Sequence, residues 1–198
     1  MSKTLEFFFD FGSPASYLAH TQLPRLAAET GATLVLRPML LGGVFKATGN
    51  SAPITVPAKG RWLMGDLQRW AQRYGVVFKM NPAFPINTLT LMRMAAGLQQ
   101  RQPERLAAFC DAVFQALWAA EQNLGDPAVL GPVLTAAGFD ASALLALAAE
   151  PDVKAALAAT TQEAVDRGAF GAPTCFVGEA VFFGQDRLDF VREALTAA

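Results

Sequence analysis

A strand-to-helix turn near the N-terminus constrains the fold more than any other stretch. The apolar run from Phe7 to Phe9 leads to Gly12, and a helical pattern begins directly after Ser13. Such a turn puts Ser13 at a helix N-terminus, where unpaired N–H groups and the helix dipole stabilise an anion. Pro14 suits the first helical position, because its missing N–H would have no partner there in any case.

The residues of this turn suggest what kind of anion is held. Thiol–disulfide enzymes carry Cys-x-x-Cys at such a position and keep the first sulfur as a thiolate. Here the corresponding residues run from Ser13 to Ser16 and contain no cysteine, and Cys110 and Cys175 have no metal or redox spacing. The sequence therefore predicts a site that holds the thiolate of another molecule.

Composition narrows the class of protein. The 198 residues are 53% apolar, which suits one large domain or one domain with an insertion. A net charge of −1 without a basic stripe argues against nucleic acid, and a single histidine argues against a metal site. No apolar run reaches the roughly 20 residues that span a bilayer, and Glu6 and Asp10 do not fit a secretory signal. We therefore expect a cytoplasmic protein.

Hydrophobic periodicity predicts an α/β fold. Strands are expected over 5–11 and 33–37 around a helix over 14–29, and a hairpin over 174–183 precedes a final helix over 187–197. Between them we expect a loop over 40–57 and helices over 59–74, 89–100, 104–120, 127–137, 141–149 and 152–167. This is the thioredoxin order with a helical insertion between its βαβ and ββα halves. The predicted domains are a thioredoxin-like domain of residues 1–40 and 166–198 and a mainly helical domain of residues 41–165.

Pro173 stands just before the third predicted strand. In a thioredoxin order such a proline faces the first strand-to-helix turn and is typically cis, which leaves the backbone of Ala172 free to pair with an extended peptide. Alternatively, Pro173 only marks the start of an edge strand. The presence of the Ser13 turn in the same chain favours the first interpretation.

Several short motifs, weak singly and specific together, run through most of the chain in a fixed order. With them the sequence resembles the 2-hydroxychromene-2-carboxylate isomerases and kappa-class glutathione transferases, a branch of the DsbA-like thioredoxin superfamily. The motifs are residues 10–14 (DFGSP), 16–19 (SYLA), 44–46 (VFK), 49–50 (GN), 57–60 (PAKG), 66–70 (DLQRW), 84–88 (FPINT), 170–174 (FGAPT) and 183–188 (FGQDRL).

The resemblance implies a glutathione site. Ser13 matches the catalytic serine, whose role in the family is to hold the glutathione sulfur, although a plain helix cap would also explain a serine there. The resemblance assigns the cysteinyl part of glutathione to the backbone at Ala172 and Pro173. The other residues that it assigns to glutathione are Asn50, Lys59, Gln185 and Asp186, of which Asp186 could equally cap the last helix.

The resemblance also implies the reaction. It is a glutathione-dependent isomerisation of 2-hydroxychromene-2-carboxylate, or a related aromatic-degradation intermediate, to trans-o-hydroxybenzylidenepyruvate by transient thiol addition. Lys46 matches a lysine that contacts the substrate carboxylate, and Asn87 lies in the segment that lines the substrate pocket. A homodimer is expected, with no metal, nucleic acid or membrane partner.

Three other functions remain open at this stage. A kappa-like transferase would consume glutathione by conjugation, and a non-catalytic module would bind thiols or peptides at Pro173 without turnover. A disulfide oxidoreductase is disfavoured by the serines at positions 13 and 16. His20 lies four residues after Ser16, but without a Gly-x-Ser-x-Gly elbow we expect it to be a packing or surface residue and not part of a hydrolase triad.

Overall fold

A four-stranded sheet organises the molecule. The structure, a computed structural model, describes residues 3–197. The sheet has the order β2-β1-β3-β4, in which β1 and β2 are parallel and β3 is antiparallel to both β1 and β4. The strands are β1 (Thr4–Phe9), β2 (Thr33–Pro38), β3 (Thr174–Val177) and β4 (Ala180–Phe183).

Helices connect the two halves of the sheet and cover its faces. Most begin and end within a few residues of the predicted bounds, and the stretches Pro53–Thr55 and Gln185–Arg187 are short 3-10 helices. The α-helices are α1 (Pro14–Thr30), α2 (Leu41–Thr48), α3 (Pro57–Tyr74), α4 (Leu89–Arg101), α5 (Pro103–Trp118), α6 (Pro127–Ala136), α7 (Ala141–Ala149), α8 (Pro151–Asp166) and α9 (Leu188–Thr196).

The prediction of a loop over residues 40–57 is wrong, because α2 occupies its first half. Gly42 and Gly43 weaken local helix propensity, so the sequence pattern alone does not indicate a helix. Distant side chains anchor its start instead: the Thr161 hydroxyl accepts from the Leu40 N–H at 2.9 Å, and the Asp10 carboxylate accepts from the Leu41 N–H at 2.8 Å. These tertiary hydrogen bonds outweigh the poor local propensity.

The sequence predicts a kink or a break at Pro24 and the end of α1 at Gly31. The break is wrong, since the helix continues to Thr30. The end at Gly31 is confirmed, because Gly31 adopts φ 67° and its N–H bonds to carbonyls of the last turn.

Strand β1 is buried on both faces, which explains its run of phenylalanines. Phe9 and Phe11 pack on Phe114 of α5, with ring centroids 5.8 and 4.8 Å apart, while Phe8 on the opposite face meets Phe176 of β3. The aromatic cluster fixes the end of β1 against α5. It thereby fixes the turn that follows the strand.

No single helix within residues 3–197 is long and apolar enough to cross a membrane. The helices α6 and α7 reach the required length and composition only as a pair bent by 116°. Both helices contribute buried leucines, Leu130, Leu134 and Leu144, to the hydrophobic core.

We expect Phe114→Ala to lower the free energy of unfolding by about 3–5 kcal/mol, because it leaves a cavity among four aromatic neighbours. Phe190→Ala, at an exposed position of α9, is the matched control and should change stability by about 0.5 kcal/mol or less. Urea unfolding followed by circular dichroism measures both. Equal losses in the two variants would contradict this account of the core.

Candidate active site

The Ser13 turn and the loop before β3 meet at the end of the sheet. Ser13 is the N-cap of α1, and its Oγ accepts from the Ser16 N–H at 3.1 Å. The same hydroxyl donates to the carbonyl oxygen of Ala172 at 2.9 Å. Two features that the sequence places 159 residues apart are therefore in direct contact.

The Ala172–Pro173 peptide bond is cis. The Pro173 carbonyl accepts from the Gly184 N–H at 3.0 Å, so the loop is tied to the end of β4. Within the described residues the Ala172 N–H has no hydrogen-bond partner. This backbone segment can therefore pair with an extended ligand that supplies an acceptor.

A cavity of about 410 Å³ opens beside Ser13. Its walls are mostly apolar, and Trp62 of α3, which is 64% exposed, stands at its edge. Among the described residues that line it, Lys59 is the only lysine or arginine. The cavity brings together every residue that the sequence analysis assigned to catalysis or to glutathione, namely Ser13, Asn50, Lys59, Ala172, Pro173, Gln185 and Asp186.

Gln185 and Asp186, which line one part of the cavity, lie just before α9. Gln185 is buried, and its carbonyl accepts from the Tyr74 hydroxyl at 2.5 Å. Burial first, and then the nearby carboxylates, raise the pKa of Tyr74 to about 12, so this phenol stays a neutral donor. Asp186 pairs with Arg187 at 2.5 Å and makes no capping hydrogen bond to α9. Asp186 is one of the residues that line the cavity.

Asn50 is already engaged within the protein. Its side-chain amide donates to the Phe170 carbonyl at 2.8 Å, and its oxygen accepts from the Ser51 N–H at 2.8 Å. Asn50 thus joins the segment after α2 to the loop that carries Pro173, and it shapes the cavity as well as lining it.

The structure does not bring Lys46 and Asn87 to the cavity. Lys46 is exposed on the last turn of α2, while Phe45 beside it lines the wall. The Asn87 side chain accepts from the Leu89 N–H at 3.1 Å at the start of α4. The substrate-binding roles of Lys46 and Asn87 stay predictions.

The sequence analysis missed one buried group of the site. The Asp10 carboxylate lies under the Ser13 turn, and burial raises its pKa against the opposing effect of its hydrogen-bond donors, the first of which is Thr88. Asp10 stands in the matched motif, but its partners Leu41 and Thr88 are distant in sequence. No local pattern reveals such a group.

The protein's own thiols take no part in the site. Burial raises the pKa of Cys175 to about 12, and it raises the pKa of the buried Cys110 as well. No group of three or more His, Cys, Asp or Glu side chains in the described part of the chain could hold a metal ion. Cys175 is buried on β3.

His20 does not form a hydrolase triad. Its Nε2 lies 2.6 Å from the exposed Asp111 carboxylate, but its Nδ1 has no hydrogen-bond partner among residues 3–197. The Ser16 hydroxyl is fully buried and has no hydrogen-bond partner in the described part of the chain, so it does not bond to His20. His20 packs between Phe7 and Phe114, as expected for a helix-packing residue.

Known proteins resemble this chain over its whole length. The DSBA-like thioredoxin domain family matches residues 4–196. A 2-hydroxychromene-2-carboxylate isomerase of Sphingobium xenophagum is 34% identical over 98% of this chain and 99% of its own. The glutathione S-transferase kappa 1 of Rattus norvegicus is 29% identical, over 96% and 89% of the two chains.

A solved structure agrees with these relatives. A 2-hydroxychromene-2-carboxylate isomerase superposes with a TM-score of 0.85 at 30% identity, over 97% of this chain and 94% of that one. The predicted fold class, a thioredoxin fold with helices inserted between its two halves, is confirmed. The chain therefore belongs to the DSBA-like thioredoxin family, in the branch that contains the 2-hydroxychromene-2-carboxylate isomerases and the kappa-class glutathione transferases.

Proposed function

We propose that this protein is a glutathione-dependent isomerase that interconverts 2-hydroxychromene-2-carboxylate, or a related aromatic-degradation intermediate, and trans-o-hydroxybenzylidenepyruvate. Full-length relatives of that name support the proposal. The structural observation that carries it is Ser13, which stands at the N-terminus of α1 against the Ala172 backbone in an apolar cavity.

The donors and acceptors of the cavity fit a tripeptide thiol. The free Ala172 N–H suits the backbone of an extended peptide, and the N-terminus of α1 favours a negative sulfur. Lys59 suits a carboxylate, and Asp186 with Gln185 suits the ammonium and carboxylate of a γ-glutamyl group. We assign these residues, with Asn50 and Pro173, to glutathione.

Ser13 can donate a hydrogen bond to a bound sulfur and still accept one from the Ser16 N–H. Its O–H can rotate from the Ala172 carbonyl toward a sulfur at the helix N-terminus, while its oxygen still accepts from the Ser16 N–H. A donor and a helix dipole that act together lower the pKa of a bound thiol. Glutathione, when bound, supplies the thiolate that adds to a conjugated carbon of the substrate, permits rotation about the former double bond and then leaves.

The remaining walls suit an aromatic substrate. Several exposed large apolar side chains border the cavity, and they offer a hydrophobic surface to a fused or single ring. They are Ile54, Val56, Trp62, Phe170 and Phe183.

A kappa-like transferase is the second candidate, because full-length relatives carry that name. A transferase consumes one thiol for each product molecule, whereas an isomerase returns it. A non-catalytic thiol- or peptide-binding module would bind glutathione and turn over no acceptor. Total thiol measured during turnover therefore separates the three.

We also propose that the protein is a cytoplasmic homodimer. The proposal rests on the family resemblance and on the need for reduced glutathione, which the cytoplasm maintains. Light scattering of the purified protein tests the dimer: a mass near twice 21.1 kDa supports it, and a mass near 21.1 kDa overturns it.

Removing the Ser13 hydroxyl should abolish most of the activity. We expect Ser13→Ala to lower kcat/KM by about 10²-fold, the size typical of one lost donor at a developing charge. The conversion of 2-hydroxychromene-2-carboxylate, followed by its ultraviolet spectrum with and without glutathione, measures this. Total thiol should stay constant throughout.

Ser16→Ala is the matched control, because it removes a buried serine hydroxyl without a partner and keeps the N–H that supports Ser13. We expect near-normal turnover in this variant. Glutathione-independent turnover, or full activity of Ser13→Ala, would contradict the proposed mechanism. Steady loss of thiol would favour the transferase.

Neutralising Asp186 should weaken glutathione binding. We expect Asp186→Asn to raise the KM for glutathione about tenfold, since one charge-assisted contact to the ammonium becomes neutral. The control is Asp189→Asn, which removes the same charge from an exposed position of α9 outside the cavity. An equal rise in both variants would show that only overall charge matters.

A further inference from the structure

One buried carboxylate connects three separate segments of the chain, two of which line the cavity. The Asp10 side chain is 2% exposed, and its Oδ1 accepts from the Gly12 N–H at 2.8 Å and from the Thr88 hydroxyl at 2.6 Å. Its Oδ2 accepts from the Leu41 N–H at 2.8 Å. Gly12 belongs to the turn between β1 and α1 that carries Ser13, here called the catalytic turn. Leu41 begins α2, and Thr88 precedes α4.

Asp10 also holds the peptide groups on both sides of Gly12. Its side chain accepts from the Gly12 N–H, and its main-chain carbonyl accepts from the Ser13 N–H at 3.0 Å. A Cβ added at Gly12 would lie 3.3 Å from Asp10 Oδ1 and 3.4 Å from Thr88 Cγ2. The turn therefore closes tightly over the carboxylate, and only a glycine fits there without displacing its partners.

We propose that Asp10 is a positioning residue of the catalytic turn, which acts through Gly12 to hold the Ser13 hydroxyl where it can donate to the glutathione sulfur. This inference rests on the proposed function. The same carboxylate fixes the start of α2, whose residues Leu41 and Phe45 form one wall of the cavity. It thus sets the donor and the wall relative to one another.

The three hydrogen-bond partners of the Asp10 side chain explain why this position needs a carboxylate. Two of the three partners are main-chain N–H groups, which can only donate, so the side chain must accept on both oxygens. In Asp10→Asn the hydroxyl of Thr88 can reverse its role, but the amide NH2 must face the N–H of either Gly12 or Leu41. One backbone donor then loses its acceptor, and the turn must move.

The pKa of the glutathione thiol in its complex with the protein tests this positioning role. We expect Asp10→Asn and Thr88→Val to raise that pKa toward the value of free glutathione, by about one pH unit if the hydrogen bond from Ser13 is lost. The ultraviolet absorbance of the thiolate, titrated against pH at saturating glutathione, measures it. Thr88→Ser keeps the donor and should restore the wild-type pKa.

The direction in which the thiol pKa changes distinguishes a positioning role of Asp10 from a direct effect of its negative charge. A carboxylate that acted only through its charge would oppose the thiolate, so its removal in Asp10→Asn would lower the thiol pKa. A purely structural role would lower the melting temperature and leave the thiol pKa of the folded protein unchanged. Either result overturns the inference. Thr88→Val supplies the test if Asp10→Asn fails to fold.

The wild-type protein provides the reference for the proposed function. A bound thiol with an unshifted pKa in the wild type would overturn the thiolate mechanism and this inference with it. A lowered pKa in the wild type that persists in Thr88→Val would overturn the positioning role alone. A lowered pKa that rises in Thr88→Val and returns in Thr88→Ser supports both.

Discussion

The pairing of β1 with β3 brings the Ser13 turn against the loop before β3, and the hydrogen bond from the Ser13 hydroxyl to the Ala172 carbonyl joins the two. This hydrogen bond exists because β1 pairs with β2 on one side and with β3 on the other, so the turn after β1 faces the loop before β3. The aromatic packing of β1 on α5 fixes the position of that turn. The core of the sheet therefore sets the geometry of the hydroxyl.

The helices between β2 and β3 complete the cavity on a sheet that alone would offer only an open edge. Leu41 and Phe45, one turn apart on α2, supply one wall, and Lys59 and Trp62 of α3 supply another. Asn50 ties the connecting segment to the Phe170 carbonyl and so closes the cavity toward the loop before β3. The helices between β2 and β3 thus contribute apolar walls, while the sheet positions Ser13 and Pro173.

Strong local periodicity made most helices and strands predictable. The prediction was wrong where hydrogen bonds to distant side chains stabilise a helix. Helix α2 contains Gly42 and Gly43 and forms because Asp10 and Thr161 accept its first N–H groups, which no local window shows. The predicted loop over residues 40–57 also affects the interpretation of Lys46. A loop leaves the direction of the Lys46 side chain undetermined, whereas helix α2 turns Phe45 toward the cavity and Lys46 away from it.

The turn that carries Ser13 and the loop that carries Pro173 were predictable for a different reason. The residue types of Ser13 and Pro173 predict their backbone roles, because a serine N-cap and a proline at the start of a strand act on neighbouring residues. Asp10 acts through partners 31 and 78 residues away, so its role becomes visible only in three dimensions. The chain keeps its own thiols buried and protonated, with raised pKa values, while it places the Ser13 hydroxyl at a helix N-terminus. Under the proposed function, that separation lets a thioredoxin-like scaffold use the sulfur of glutathione without forming a disulfide of its own.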